Sequence, residues 1–157
     1  MTFIVDGTNG LTFNNATTQA SAGVVLQVVQ GTLTGLTTFT APSSYTQTNL
    51  TASITPKFST SKILIIMGYT MYNYNAGSAP NATIYRNNTT NISPNSGFMI
   101  SYSSGNIKAP FTITYLDSPA TTSSTSYTCW VKIVNGGNLD FGDGAGCGTV
   151  VLMEIAG

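Results

Sequence analysis

Apolar and polar residues alternate along most of this chain with the period of a β-strand. In the stretches 50–54, 107–115 and 127–133, apolar side chains occupy every second position, which buries one face of a strand and leaves the other in water. Turn-forming Gly, Pro, Asn and Ser separate such stretches, and no apolar pattern with a helical period is found. Predicted strands cover residues 3–5, 11–13, 24–30, 36–41, 50–54, 62–72, 82–86, 98–102, 107–115, 127–133, 139–141 and 149–155.

This succession of short strands and turns predicts an all-β chain in which residues 24–157 form an antiparallel β-sandwich of the jelly-roll kind. Gly31 is expected to end the strand that begins at residue 24. Pro110 favours an edge position for its strand, because proline has no N–H to donate to a neighbouring strand. The turn at residues 135–138 is expected to be hairpin-like.

The strand predicted at residues 62–72 differs from the others because both of its faces are apolar. Ile63 and Ile65 begin one face, and Leu64 and Ile66 begin the other. One face of an antiparallel sheet usually meets water, so a two-sided strand requires a second covering surface. That surface is either another sheet of the same chain or a neighbouring subunit.

Residues 1–23 are predicted to be a short extended arm that precedes the sandwich. Apolar residues such as Ile4, Leu11 and Phe13 are separated by small polar residues and are too few to form a core. The arm can bury them against its own domain or against other chains, and we favour the second. Residues predicted to lie in an anchor or subunit interface are Ile4, Leu11, Phe13, Leu64 and Ile66.

Composition narrows the classes of function. The chain has 157 residues, of which 6% are charged, with five basic and five acidic residues. The basic residues are scattered singly, which excludes nucleic acid as a partner because phosphate binding needs clustered Lys and Arg. The longest apolar run, residues 63–67, is too short to insert into a membrane. We also expect no secretion signal at the N-terminus, and therefore synthesis in a cytoplasm.

Catalytic and metal-binding groups are sparse. The chain has no histidine, so the most common general base is missing, and Cys129 and Cys147 lack the partner that activates a thiol. Two reduced thiols are favoured over a disulfide between them. Asp140 and Asp143 lie in a glycine-rich loop that could hold calcium; the favoured alternative is a loop with two solvated carboxylates. The sequence therefore predicts no enzyme and no cofactor.

Glu154 lies between apolar residues in the last predicted strand. A carboxylate buried there needs a partner. The expected partner is a cation, Lys132, Lys62 or Arg86, from the same chain or a neighbouring one. Without a histidine, cysteine or second acid beside it, Glu154 is a poor candidate for catalysis.

Uncharged polar loops carry the chemistry of sugar recognition. Amide groups pair with sugar hydroxyls, and tyrosine rings pack on sugar faces. Tyr72, Tyr74, Asn88 and Asn91 are the predicted glycan-binding residues. The alternative is an ordinary solvated loop surface.

The segment G-L-T-F-N-N-A-T-T-Q-A at residues 10–20 resembles short segments of bacteriophage tail fibres and head fibres. Later stretches are similar to the jelly-roll domains of phage virion proteins. Those stretches are residues 54–56, 60–65, 126–128 and 151–155.

Proteins of this kind are homotrimers, so the resemblance implies a trimer located in the virion and attached to other capsid or tail proteins. It implies a non-enzymatic structural role, either capsid decoration or a fibre. The alternative is a receptor-binding fibre tip that recognises bacterial surface glycans.

Overall fold

The computed structural model describes residues 4–6, 10–12, 18–19, 24–75, 77–93, 97–100, 105–142 and 148–157, with the backbone alone at 4–6, 10–12, 18–19 and 99–100. The described residues form fourteen strands and no helix. The N-terminal strands are β1 (Ile4–Asp6), β2 (Gly10–Thr12) and β3 (Thr18–Gln19). The remaining strands are β4 (Val25–Leu33), β5 (Thr37–Thr40), β6 (Thr46–Ile54), β7 (Lys62–Asn73), β8 (Ala79–Arg86), β9 (Thr90–Asn91), β10 (Met99–Ile100), β11 (Ile107–Asp117), β12 (Thr125–Val134), β13 (Asn138–Phe141) and β14 (Gly148–Ile155).

Strands β4 to β14 make two antiparallel sheets. Sheet one has the order β4-β14-β7-β13-β5, with β11 along the other edge of β7. Sheet two has the order β6-β12-β8-β10, with β9 also paired to β8. The chain passes repeatedly between the sheets, and strands that are distant in sequence become neighbours, as in a jelly roll. The predicted all-β antiparallel sandwich is confirmed.

The core fills the space between the two sheets. Strand β7 contributes Ile63, Ile65 and Met67, each with no exposed surface, and its remaining inward residues are almost as buried. Sheet two covers them with inward residues of β6, β8 and β12. Those residues are Leu50, Ala52, Ile54, Ala82, Ile84, Tyr127, Cys129, Val131 and Ile133.

Two sequence expectations were wrong for physical reasons. Gly31 does not end its strand, because β4 continues to Leu33. A Cβ at Gly31 would lie 2.3 Å from the Thr51 carbonyl oxygen, so glycine is required where β4 of sheet one crosses β6 of sheet two. The turn at residues 135–137 has positive φ angles throughout, but it is not a hairpin because it joins β12 of sheet two to β13 of sheet one.

Pro110 lies in β11, which among the described strands pairs with β7 alone. Its predicted edge position is confirmed. The two-sided character of β7 is confirmed as well, since Leu64 and Ile66 on the outer face are half-buried while the inner face is fully covered.

The segment predicted to be an extended arm contains three short strands. Strand β1 pairs with β2, and β2 pairs with β3. The turn predicted between residues 5 and 11 is consistent with this pairing, whereas β3 was not expected. The boundary between residues 23 and 24 stays a prediction.

Candidate functional site

The outer face of sheet one carries a continuous apolar row across four strands. Register pairs Val28 with Met153, Met153 with Leu64, and Leu64 with Leu116, and side chains paired across strands lie on the same face. Val28 is 57% exposed and Leu116 is 45% exposed. We call these four residues the aliphatic row.

A second apolar surface adjoins one end of sheet one. Phe58 is 56% exposed and Val24 is 49% exposed, and both line a groove of about 420 Å³. Val25 and Ile155, which pair in register, lie between this groove and the aliphatic row. The residues lining this terminal groove are Val24, Leu26, Phe58, Thr60, Ala156 and Gly157.

The predicted interface residues are therefore only partly brought together. Leu64 lies in the aliphatic row, and Ile66 lies one row away, opposite Val151. Ile4 is in β1 and Leu11 is in β2, where Leu11 pairs with Val5. Phe13 lies outside the described residues.

The predicted glycan residues fall into two groups. Tyr72 and Tyr74 meet edge to face with ring centroids 4.4 Å apart at the end of β7. Asn88 is in the turn after β8, and the side chain of Asn91 accepts a hydrogen bond from Thr83 at 2.6 Å. Tyr72 and Tyr74 come before β8, and Asn88 and Asn91 come after it, so the eight-residue length of this strand lies between the two groups. The four side chains therefore do not form one site.

Asp140 is buried against hydroxyl groups. Thr38 donates a hydrogen bond to its carboxylate at 2.6 Å, and the Tyr74 hydroxyl donates another. Asp143, the other calcium candidate, lies outside the described residues. Within the described part of the chain, no three His, Cys, Asp or Glu side chains come together as metal ligands would.

The outer face of sheet two carries a cluster of three aromatic rings. Tyr85 and Trp130 are stacked with centroids 4.2 Å apart, and Tyr45 meets the edge of Tyr85 at 6.3 Å. The Lys132 ammonium lies 4.5 Å from the centre of the Tyr45 ring, a favourable cation–π geometry. We call Tyr45, Tyr85, Trp130 and Lys132 the aromatic patch.

Polar groups surround the aromatic patch. The Tyr45 hydroxyl donates to the Asn81 side chain at 2.8 Å, and Thr51 and Thr128 share a hydrogen bond of 2.8 Å. Burial, and to a smaller extent the neighbouring Tyr85, raises the pKa of Tyr45 to about 12. Sequence reasoning missed this patch, although the only tryptophan of the chain at an outward position of an alternating strand was a usable signal.

Glu154 is fully buried, but the expected cation does not bind it. The Gln27 amide donates to one carboxylate oxygen at 2.6 Å, and the Lys57 backbone N–H donates to the other at 2.7 Å. Burial alone would raise the pKa of Glu154, but the Ser61 hydroxyl, the Gln27 amide and nearby backbone N–H groups together lower it. The prediction of Lys132, Lys62 or Arg86 as its partner was wrong within this chain.

Arg86 instead pairs with Asp117 at 2.8 Å, the one ion pair in the described ranges. The Tyr127 hydroxyl also donates to this carboxylate at 2.8 Å. Burial and the bond to Asp117 raise the pKa of Tyr127. Arg86, Asp117 and Tyr127 thus link β8, β11 and β12, and the role of Asp117 is structural.

Cys129 is a free and fully buried thiol, and Cys147 lies outside the described residues. Burial raises the pKa of Cys129 to about 12, although the nearby Tyr69 and Thr48 hydroxyls act in the other direction. A thiol in this state is a poor nucleophile at neutral pH.

None of the residues that the structure describes forms a helix with the length and apolarity needed to cross a bilayer.

Comparisons with protein-family models and with curated proteins found no match. Among solved structures, the chain is similar to a chain in the structure of infectious bursal disease virus Gx strain, with 17% identity over 88% of this chain and a TM-score of 0.39. It is also similar to a mutant VP2 protein of infectious bursal disease virus in derived T=1 particles, with 18% identity over 84% of this chain and a TM-score of 0.39. This chain matches only 39% and 37% of those chains. At these identities and TM-scores, the likeness carries no argument for a function.

Proposed function

We propose that this protein is a non-enzymatic structural protein of a bacteriophage particle, a homotrimer attached to the virion by residues 1–23. It serves as a capsid decoration protein or as a short fibre. The observation that carries the proposal is the exposed aliphatic row, which needs a second protein surface to cover it.

Large exposed apolar patches on a folded domain mark interaction sites. The aliphatic row runs without interruption from Val28 to Leu116 across four strands. The terminal groove adds a second apolar surface beside it. A cyclic trimer needs two different contact surfaces on each copy, because its interfaces are head-to-tail, and the row and the groove supply such a pair.

The carboxylates support a structural role. Asp117, Asp140 and Glu154 are buried, and each accepts hydrogen bonds from fixed neighbours within the fold. A general acid or base must instead face a substrate. The three carboxylates whose side chains are described therefore act in stability.

The mass of the purified protein by light scattering tests the proposal. We expect a trimer, and we expect Val28→Lys to shift it toward monomer, because burying an unpaired ammonium in an apolar contact is costly. Asn49→Lys, at an exposed position of sheet two, is the matched control and should remain trimeric. A monomeric wild-type protein would overturn the proposal.

Attachment through the arm has a separate test. Deleting residues 1–22 should leave a folded sandwich, because the two sheets and their core lie within residues 24–157. The shortened protein should no longer join particles during assembly. Unchanged incorporation would show that another surface makes the attachment.

The second candidate function is recognition of bacterial surface glycans by a fibre tip. The contact between Tyr72 and Tyr74 favours it, since Tyr74 is 41% exposed and its ring offers area for a sugar. Glycan-array binding that is lost in Tyr72→Ala would support this function over decoration.

A further inference from the structure

We infer that the aromatic patch on the outer face of sheet two is a binding platform for a neutral oligosaccharide. The platform lies on the face opposite the aliphatic row, so it does not depend on the proposed self-association. It also differs from the predicted Tyr72 and Tyr74 site, which lies at the end of β7 in sheet one.

The chemistry of the patch fits a sugar. The face of an aromatic ring carries negative charge density, and the axial C–H groups of a pyranose carry the complementary partial positive charge. Tyr85 and Trp130 are stacked and half-buried, which holds the two rings in fixed positions before any ligand arrives. Such preorganisation reduces the entropy lost on binding.

The rim of the patch supplies hydroxyl and amide groups. Gln47 is exposed and lies opposite Trp130 in the register of β6 and β12. Thr51 and Asn49 are exposed on the same strand. These uncharged groups both donate and accept hydrogen bonds, as the hydroxyls of a sugar require.

Charge argues against the other ligands of aromatic surfaces. A groove for single-stranded nucleic acid combines stacking rings with several cations along the backbone path, whereas the patch has Lys132 alone, held over the Tyr45 ring. Protein interfaces also use Tyr and Trp, but the rings here are surrounded by hydroxyl and amide groups rather than by an apolar core. A neutral glycan fits the remaining chemistry.

Trp130 is the only tryptophan in the chain, so its fluorescence reports on the platform directly. We would titrate the full-length protein with neutral chito- and cello-oligosaccharides, follow Trp130 emission, and confirm binding by calorimetry. We expect a saturable change for at least one series. Tyr85→Ala should weaken that binding by about tenfold, and Gln47→Ala, a surface change, should weaken it several-fold.

Thr112→Ala, at an exposed position of sheet one, is the matched control and should bind like the wild type, with folding of every variant checked by circular dichroism. Absence of saturable binding to both series would overturn the inference. It would also be overturned if Tyr85→Ala and Gln47→Ala left the affinity unchanged, or if an oligothymidylate bound in place of the sugars. None of these outcomes depends on whether the protein is a trimer.

Discussion

The two outer faces of the sandwich are built from the same kind of strand but present opposite chemistry. Sheet one shows the aliphatic row Val28, Met153, Leu64 and Leu116. Sheet two shows stacked rings among hydroxyls and amides. The first face would be stabilised by exclusion of water in the proposed contact between copies, and the second offers directional hydrogen bonds to the proposed glycan.

This difference shows that the inward and outward positions of a strand have separate physical roles. The inward residues of both sheets are similar, since both contribute Ile, Val, Leu and aromatic residues to one core. The fold therefore fixes only half of each strand's side chains. The other half is available for function, and each sheet uses it differently.

Gly31→Ala should have the largest effect on stability, because Gly31 lies where β4 of sheet one packs closely against β6 of sheet two. The new Cβ would lie 2.3 Å from the Thr51 carbonyl oxygen and 3.0 Å from Val150. We expect a loss of about 3 kcal/mol in the free energy of unfolding, measured by urea denaturation. Gly105→Ala has open space around its Cβ and should change stability by no more than about 0.5 kcal/mol; equal effects of the two would refute the close approach of β4 and β6.

Glu154→Gln should destabilise the protein at the end of sheet one that adjoins the terminal groove. The carboxylate holds the backbone of Lys57, next to Phe58 in the terminal groove. Replacing it puts an amide N–H against an N–H donor, and we expect a cost of about 2 kcal/mol at neutral pH.

Acid should reproduce this effect in the wild-type protein. The pKa of Glu154 in the fold lies below its ordinary value of 4.5, so the unfolded chain binds a proton more readily than the folded one. The stabilisation is present above pH 4.5 and is lost as the pH falls through the lower, folded pKa. Urea unfolding between neutral pH and about pH 3 should show a smaller loss of unfolding free energy in Glu154→Gln than in the wild type. The same dependence on pH in both proteins would contradict this role of Glu154.

Raising the pH should destabilise the wild-type protein through Tyr45, beside sheet two. This effect should be smaller than those of Gly31→Ala and Glu154→Gln. The pKa of Tyr45 is raised from 10.0 to about 12 in the fold, so the folded state keeps its proton longer than the unfolded state does. Its contribution is present below pH 10 and is lost as the pH rises toward 12.

Tyr45→Phe should remove one late-ionising tyrosine from the ultraviolet titration. It should also cost about 1 kcal/mol through the lost hydrogen bond to Asn81. Met153→Leu, in the aliphatic row, should leave the titration unchanged. Loss of one tyrosine from the early part of the titration, near pH 10, would show instead that Tyr45 ionises like an exposed tyrosine.

Much of the fold could be predicted from the sequence, because period-two alternation reports directly on which face of a strand is buried. The inward set of β7, and the edge position of Pro110, follow from local pattern and from the missing proline N–H. Gly31 was misinterpreted for a complementary reason. A glycine in a strand signals either an end or a close approach, and only the position of β6 distinguishes them.

The candidate sites were less predictable, because they depend on which strands become neighbours. Tyr85 and Trp130 are 45 residues apart in sequence and meet only because β8 pairs with β12. Glu154 was expected to need a cation, but the 55–58 segment supplies uncharged donors. The carboxylate's burial was visible in the sequence, and the identity of its partners was not.

Pro110 has a consequence for the solubility of the protein before the proposed assembly. A chain with an uncovered apolar face and few charges risks growing into fibrils by adding strands from other molecules at its open sheet edge. Pro110 interrupts the donors of β11 at that edge, and the exposed Lys108 adds a charge beside it. Both features make it harder for a strand of another molecule to pair with this edge.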